Sequence, residues 1–258
     1  MVSDPDDMEG AMTGVSVHFL GTGDAFGSGG RLHTATLLRA AEGQVLVDCG
    51  PSTLAALRAQ QLDPCRVDAI ALTHLHGDHF GGVPFLLMHA HYAAGRTRPL
   101  TIVGPTGTAD AVARAHDILF PGTGALAFRF PLAWIEYEPP LAVQAGPGRV
   151  TALPVVHSRS TPCFGLRVEL GGGVFAFSGD TEWTETLVDL AAGAEIFLCE
   201  CYGYDEAPPH HLTWQILQRQ RHRLACRRLL LTHMGDEMLA KAAELGLDAA
   251  HDGLVIDT

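Results

Sequence analysis

The sequence predicts an α/β fold in which two β-sheets pack face to face and carry helices on their outer sides. Three observations lead there. Strand-like segments come in runs over the first two-thirds of the chain, beginning with VSVHFLG (15–21), TATLLRA (34–40) and QVLVDCG (44–50). Over the last third they alternate with helix-like segments, so that EIFLCE, RRLLLTH and GLVID are separated by LTWQILQRQ and DEMLAKAAEL. With 258 residues, 47% of them hydrophobic, and no repeat or low-complexity tract, the chain has the material for a large buried core.

In order, VSVHFLG alternates apolar and polar positions and runs into the glycine-rich GTGDAFGSGG, a tight-turn segment. TATLLRA and QVLVDCG pair as a hairpin across AEG, and PSTLAALRAQ reads as a helix with Ser52 at its N-cap. VDAIALTH is an apolar strand, and GDHFGGVPFLLMHAHYAA reads as helical from Asp78 onward. LTIVG is a strand and TADAVARAHDIL a helix. The Pro/Gly-rich stretch 121–148 contains one strand-like piece, AWIEYE. RVTALPVVH, CFGLRVEL and GVFAFSGD follow as strands, with GGG as a hairpin turn, and then the helix TETLVDLAA. One domain is expected over 15–258, behind a flexible acidic leader over 1–14.

The net charge of −12, with no run of Lys or Arg, repels a polyanionic backbone and disfavours extended nucleic acid as a partner. The six cysteines form no CxxC pair and no dense framework. Without a signal-peptide pattern ahead of them they read as reduced thiols of a cytoplasmic protein. Cys199 and Cys201 read as small core residues. No apolar stretch approaches the roughly eighteen residues of a membrane span, so no membrane partner is expected.

Five strands end in a residue able to bind metal: His74, His157, Asp180, Glu200 and His233. A strand that delivers its last residue to one rim of a sheet brings distant ligands together on a rigid support. The segment HLHGDH adds His76, Asp78 and His79. His74 and His76, two apart, face the same side of an extended segment. Imidazole with carboxylate suits two divalent ions, zinc first, with manganese or iron also compatible. His89, His91, His116, His222 and His251 read as ordinary histidines.

THLHGDH, VVHS, SGDT and LLLTHM, in that order, resemble the metallo-β-lactamase superfamily over nearly the whole chain. The resemblance implies an αβ/βα four-layer sandwich, two mixed sheets with helices outside, and a dinuclear metal site at the edge between them. It also implies the pairing of ligands: His74, His76 and His157 for one ion; Asp78, His79 and His233 for the other; Asp180 bridging. Such sharing leaves room for a hydroxide between the ions. FLGTGDAFGSGGRLHT, VLVDCG and FLCECYGYDEAPPHHLTW are similar to the ribonuclease Z branch and its phosphodiesterase relatives. In that branch the counterpart of His211 donates a proton to the leaving oxygen, the counterpart of Glu200 orients it, and Asp48 would support a metal-ligating histidine. Asp78, His211 and Glu200 are thus the expected catalytic residues, with His210 as the neighbour to His211 if the register slips by one.

Bacterial ribonuclease Z proteins carry a long RNA-gripping arm between the counterparts of VVHS and SGDT. Here only 22 residues separate His157 from Asp180. The expected function is therefore hydrolysis of small, possibly cyclic, phosphodiesters, a small-molecule substrate rather than transfer RNA. The competing readings are a ribonuclease Z-like RNA endonuclease, or a lactonase or thioesterase that would not need Glu200 and His211. Flavin-linked redox relatives place a carboxylate where His76 stands, and a binding module would have lost ligands. Arg31 and His33 could reach a phosphate from the rim. The branch commonly forms homodimers, and no residue here decides that point.

Overall fold

The computed structural model describes residues 14–123, 126–139 and 142–258. The leader expected over 1–14 therefore lies, but for Gly14, outside the described residues. The first sheet is built from β1 (Ser16–Gly21), β2 (Ala35–Ala40), β3 (Gly43–Val47), β4 (Ala69–Ala71), β5 (Leu100–Gly104) and β6 (Leu132–Glu136). The second contains β7 (Ala142–Ala145), β8 (Gly148–Pro154), β9 (Phe164–Leu170), β10 (Gly173–Phe177), β11 (Ile196–Glu200) and β12 (Arg228–Thr232). β13 (Val255–Asp257) returns to the first sheet beside β1, giving the orders β13-β1-β2-β3-β4-β5-β6 and β12-β11-β10-β9-β8-β7. Each sheet is mixed. β3 to β6 are parallel, as are β10 to β12, and the remaining neighbours are antiparallel.

Three apolar layers hold the sandwich together. Val45, Val47, Val150, Leu166, Phe175, Phe177 and Leu198 meet between the sheets. Leu46, Ile70 and Ile102 face the other way, against α1 (Thr53–Ala59), α3 (Val83–Met88) and α4 (Thr108–Leu119). Phe197 and Leu231 do the same against α5 (Thr186–Ala191), α6 (Trp214–Gln220) and α7 (Asp236–Leu245). Parallel strands covered on both faces must be apolar at nearly every position, which is why VLV and IFLC read as unbroken runs. Each large side chain so buried contributes roughly 1.5–3 kcal/mol of transfer free energy.

Four local expectations are corrected. The Pro/Gly-rich stretch holds a second strand, β7, which a short edge segment of small residues signals poorly. The helix expected from Asp78 onward is broken into α2 (Gly77–Phe80) and α3, followed by a π-helical turn over His89–Ala93. The break lies at Gly81–Gly82, and a Cβ on Gly82 would meet the Gly50 carbonyl oxygen at 2.1 Å. Only glycine allows this crossing, which seats α2 against the turn carrying Asp48. Ser52 stands at the N-cap of α1, but its hydroxyl accepts from the His33 amide at 2.9 Å instead of capping the helix. Arg31 is not free for a phosphate, because its guanidinium donates to the Thr22 hydroxyl at 3.0 Å and the Ala250 carbonyl at 2.5 Å.

Candidate metal and catalytic site

Parallel strands deliver their C-terminal ends to one rim, where ligands are expected to gather. β3 is followed by Asp48, β4 by Thr73–His74, β10 by Asp180 and β12 by His233, while Glu200 is the last residue of β11. Glu200 pairs with Thr232, so the ends of β11 and β12 are level. Asp48 and His233 take left-handed backbone conformations, φ 57° and 56°, which turn the chain sharply as each strand ends.

The expected ligands converge. Donor atoms of His74, His76 and His157 lie within 4.8 Å of one another, as do those of Asp78, His79, Asp180 and His233. Asp180 reaches both groups. Its Oδ1 is 3.2 Å from His79 Nε2, and its Oδ2 is 3.3 Å from His233 Nε2, 3.7 Å from His157 Nε2 and 3.9 Å from His74 Nε2.

Four imidazoles are oriented in the same way. His79 Nδ1 donates to Asp48 Oδ2 at 2.6 Å, and His157 Nδ1 to the His210 carbonyl at 3.1 Å. The Thr73 hydroxyl gives its proton to Asp48 and so accepts from His74 Nδ1 at 3.0 Å. Thr34 donates to the Gly23 carbonyl, leaving its oxygen 3.4 Å from His233 Nδ1. Each ring therefore turns its Nε2 inward, the orientation second-layer partners impose on metal-binding histidines. His76 differs, facing His157 Nε2 through its Nδ1 at 3.0 Å.

These residues fit a divalent metal pair on the structure's own terms. His74 Nε2, His79 Nε2 and Asp180 Oδ1 are buried without a hydrogen-bond partner, a costly state for polar atoms unless a cation satisfies them. The electrostatics agree. Burial works to raise the pKa of Asp180, but His233, His79 and His74 outweigh it and hold the carboxyl well below its usual range. Burial likewise opposes ionisation of Asp78, and His79 with His233 overcomes it. The same carboxylates, with Asp48, raise the pKa of His79 well above the usual imidazole value against its burial, so the cluster favours positive charge, as protons on the rings or as cations in their place.

Beside this cluster, His211 Nδ1 lies 3.2 and 3.3 Å from the two carboxylate oxygens of Glu200, which is fully buried. Glu200 also accepts from the Leu212 amide at 3.1 Å and from the Thr181 amide. Burial works against a charged His211, but the hydrogen bond and charge of Glu200 prevail and raise its pKa above the usual imidazole value. A donor atom of His211 falls within 4.8 Å of those of His157 and Asp180, and its ring stacks on His233 at 5.7 Å. His210 does not share this position. Its backbone φ is 68° and its ring turns to Glu182 Oε2 at 3.2 Å. Thr213 caps α6, its hydroxyl accepting from the Ile216 amide.

Sequence reasoning did not find Thr73 and Thr34, whose hydroxyls face the rings of His74 and His233, or Thr181, whose amide donates to the Glu200 carboxylate. The recurring pair Thr-His, at 73–74 and 232–233, was the available signal. Tyr202, whose ring lies 5.1 Å from that of His211, carried none.

The profile of the β-lactamase superfamily domain matches residues 44–234. The chain is 32% identical over 197 residues to ribonuclease Z of Mycobacterium bovis, covering 70% of this chain and 68% of that protein. It is 27% identical to ribonuclease Z of Methanothermobacter thermautotrophicus, over 92% of this chain and 91% of that protein. The crystal structure of the short form of human tRNase Z superposes with a TM-score of 0.75 at 26% identity, covering 94% of this chain and 98% of that one. The chain belongs to the metallo-β-lactamase superfamily of hydrolases, in its ribonuclease Z-like branch. Among the described residues, no helix is long and apolar enough to cross a membrane.

Proposed function

We propose that this chain is a phosphodiesterase of small, including cyclic, phosphodiesters, with His211 as general acid. The observation that carries the reading is the His211–Glu200 pair set beside a complete seven-residue ligand cluster. An alkoxide is a poor leaving group, so a positioned acid is worth about 10²–10⁴-fold in rate. A water that has given a proton to solvent bonds through its oxygen to phosphorus, the bond to the leaving oxygen breaks with its electron pair, and His211 supplies that oxygen's proton, which solvent then returns to the ring. The products are a phosphomonoester and an alcohol. Glu200 favours the protonated ring and fixes its tilt. Two divalent ions on His74, His76 and His157, on Asp78, His79 and His233, and on the shared Asp180, would supply a water of lowered pKa and neutralise phosphate charge.

Small substrates are favoured by the net charge of −12 and by the interval between His157 and Asp180, which holds the β9–β10 hairpin within the sheet. A second reading, RNA cleavage, is favoured by the identity to proteins named ribonuclease Z. The test is turnover by zinc- or manganese-loaded protein of bis(p-nitrophenyl) phosphate, cyclic nucleotides, a precursor transfer RNA, a lactone and a thioester. Turnover of the first two, lost in His211→Ala and Asp180→Ala, is expected. Preferential cleavage of the RNA would install the second reading. Opening of the lactone or thioester alone would make the chain an acyl hydrolase.

A further inference from the structure

His211 lines a cavity of about 620 Å³ whose walls come from two separate parts of the chain, Glu182–Trp183 and the loop and helix start from Asp205 to Arg219. A general acid must lie against the oxygen it protonates, so the group attached to that oxygen has to occupy the space His211 borders. The rest of the His211 ring is engaged. Glu200 takes Nδ1, His233 covers one face, and His157 meets the ring at 4.8 Å. The wall is tied to the cluster, because the His210 carbonyl receives His157 Nδ1–H while the His210 ring contacts Glu182.

The charge of this wall is one-sided. Glu182, Asp205 and Glu206 all line it, against one guanidinium, Arg219. Their neutralisation is slight: among the described residues the Glu182 carboxylate pairs with the His210 ring alone, Asp205 accepts from the neutral Gln215 amide, and no cation pairs with Glu206. Arg219 uses its Nε on the Gln215 carbonyl and forms no ion pair with a described carboxylate. Trp183 supplies an apolar face, with Arg223 packed 5.9 Å from its ring.

We infer that this cavity is the leaving-group subsite and that Glu182, Asp205 and Glu206 make it select alcohols without negative charge, cationic ones ahead of neutral ones. The inference rests on the phosphodiesterase reading and deepens it. A leaving group carrying its own phosphate, as every internal position of a polynucleotide does, would be set against these carboxylates, which stand exposed along the cavity wall, so the repulsion acts at short range and is strongest at low ionic strength. The same wall thus accounts for a small substrate through specificity rather than through size alone.

The experiment uses metal-loaded full-length protein and three diesters of glycerol 3-phosphate, with choline, glycerol or glycerol phosphate as the second alcohol. Release of glycerol 3-phosphate reports departure of that alcohol, one equivalent per turnover for the first two diesters and two for the third, whose leaving alcohol is itself glycerol phosphate. The expected order of kcat/KM is choline, then glycerol, then glycerol phosphate, with at least about tenfold between the extremes. The triple variant Glu182→Gln, Asp205→Asn, Glu206→Gln should compress that ratio to within about threefold, at both low and moderate ionic strength. A preference for the anionic alcohol, or a ratio untouched by the triple variant, overturns the inference. Bis(p-nitrophenyl) phosphate is run beside them in wild type. Its hydrolysis together with either of those results sinks the subsite alone, whereas no hydrolysis of any diester sinks the phosphodiesterase reading beneath it.

Discussion

His79 and His211 are built alike and placed differently. Each is held through Nδ1 by a fully buried carboxylate at a strand end, Asp48 after β3 in the first sheet and Glu200 on β11 in the second. His79 is wholly enclosed, and its Nε2 faces Asp78 at 3.3 Å and Asp180 at 3.2 Å. His211 keeps 14% of its side chain exposed and borders a cavity. The same carboxylate–histidine unit suits a metal ligand when its free nitrogen meets acidic groups inside the fold. It suits a proton donor when the ring meets space a substrate can enter. What the partner of a histidine is matters less here than what lies opposite it.

The largest expected effect comes from removing what both groups of ligands share. Asp180→Ala should reduce bound zinc by about one ion or more per chain, measured by elemental analysis, and bring phosphodiester turnover to background. Full metal content with activity intact would show that Asp180 is not common to the two groups. Next comes His211→Ala, expected to lower kcat on alkyl phosphodiesters by about 10²–10⁴-fold while metal content stays at the wild-type level. The loss should be smaller on p-nitrophenyl esters, whose leaving group needs little protonation.

Asp48→Asn separates the two histidines. Asparagine tolerates the left-handed backbone at this position, so the variant should fold and bind metal about 10–100-fold more weakly, with most of the rate recovered at saturating metal. A rate that stays low at full metal occupancy would erase the distinction between His79 and His211.

His18 supplies the smallest effect and a contrasting case. It is half-buried on β1 with the Ser16 hydroxyl at 3.1 Å, and burial, then Arg39, push its pKa down to about 4, with Asp257 opposing. The unfolded chain takes up this proton near pH 6.5 and the folded one only near 4, so stability is intact above 6.5 and falls as pH drops between those values. The loss should be about 1–2 kcal/mol, below what the bare shift implies, because solvent screens a partly exposed ring. His18→Gln should remove that part of the slope in denaturant melts at pH 7 and pH 5, and equal slopes in both proteins would refute it.

Much of this was legible because strands buried on both faces must be apolar throughout, so a histidine or carboxylate ending such a run stands out. β5, α4 and α7 carry their expected bounds for the same reason of clean periodicity. The two-way break at Gly81–Gly82 was not legible, since nothing local says that the Cys49–Gly50 turn passes there. Nor was the engagement of Arg31, whose partners Thr22 and Ala250 come from opposite ends of the chain.

The order of residues along the chain thus dictated the layers, the strand ends and the local cluster His74, His76, Asp78 and His79, because these depend on period and on neighbours a few positions apart. Tertiary structure decided which imidazole nitrogen faces inward, that Asp180 touches both groups, that His211 rather than His210 meets Glu200, and that Glu182 and Asp205 close on one cavity. Those outcomes join residues beyond the reach of local periodicity, Glu200 with His211 across a loop, His76 with His157 and Thr34 with His233 between the sheets, and only the packed fold sets such distances to within a hydrogen bond.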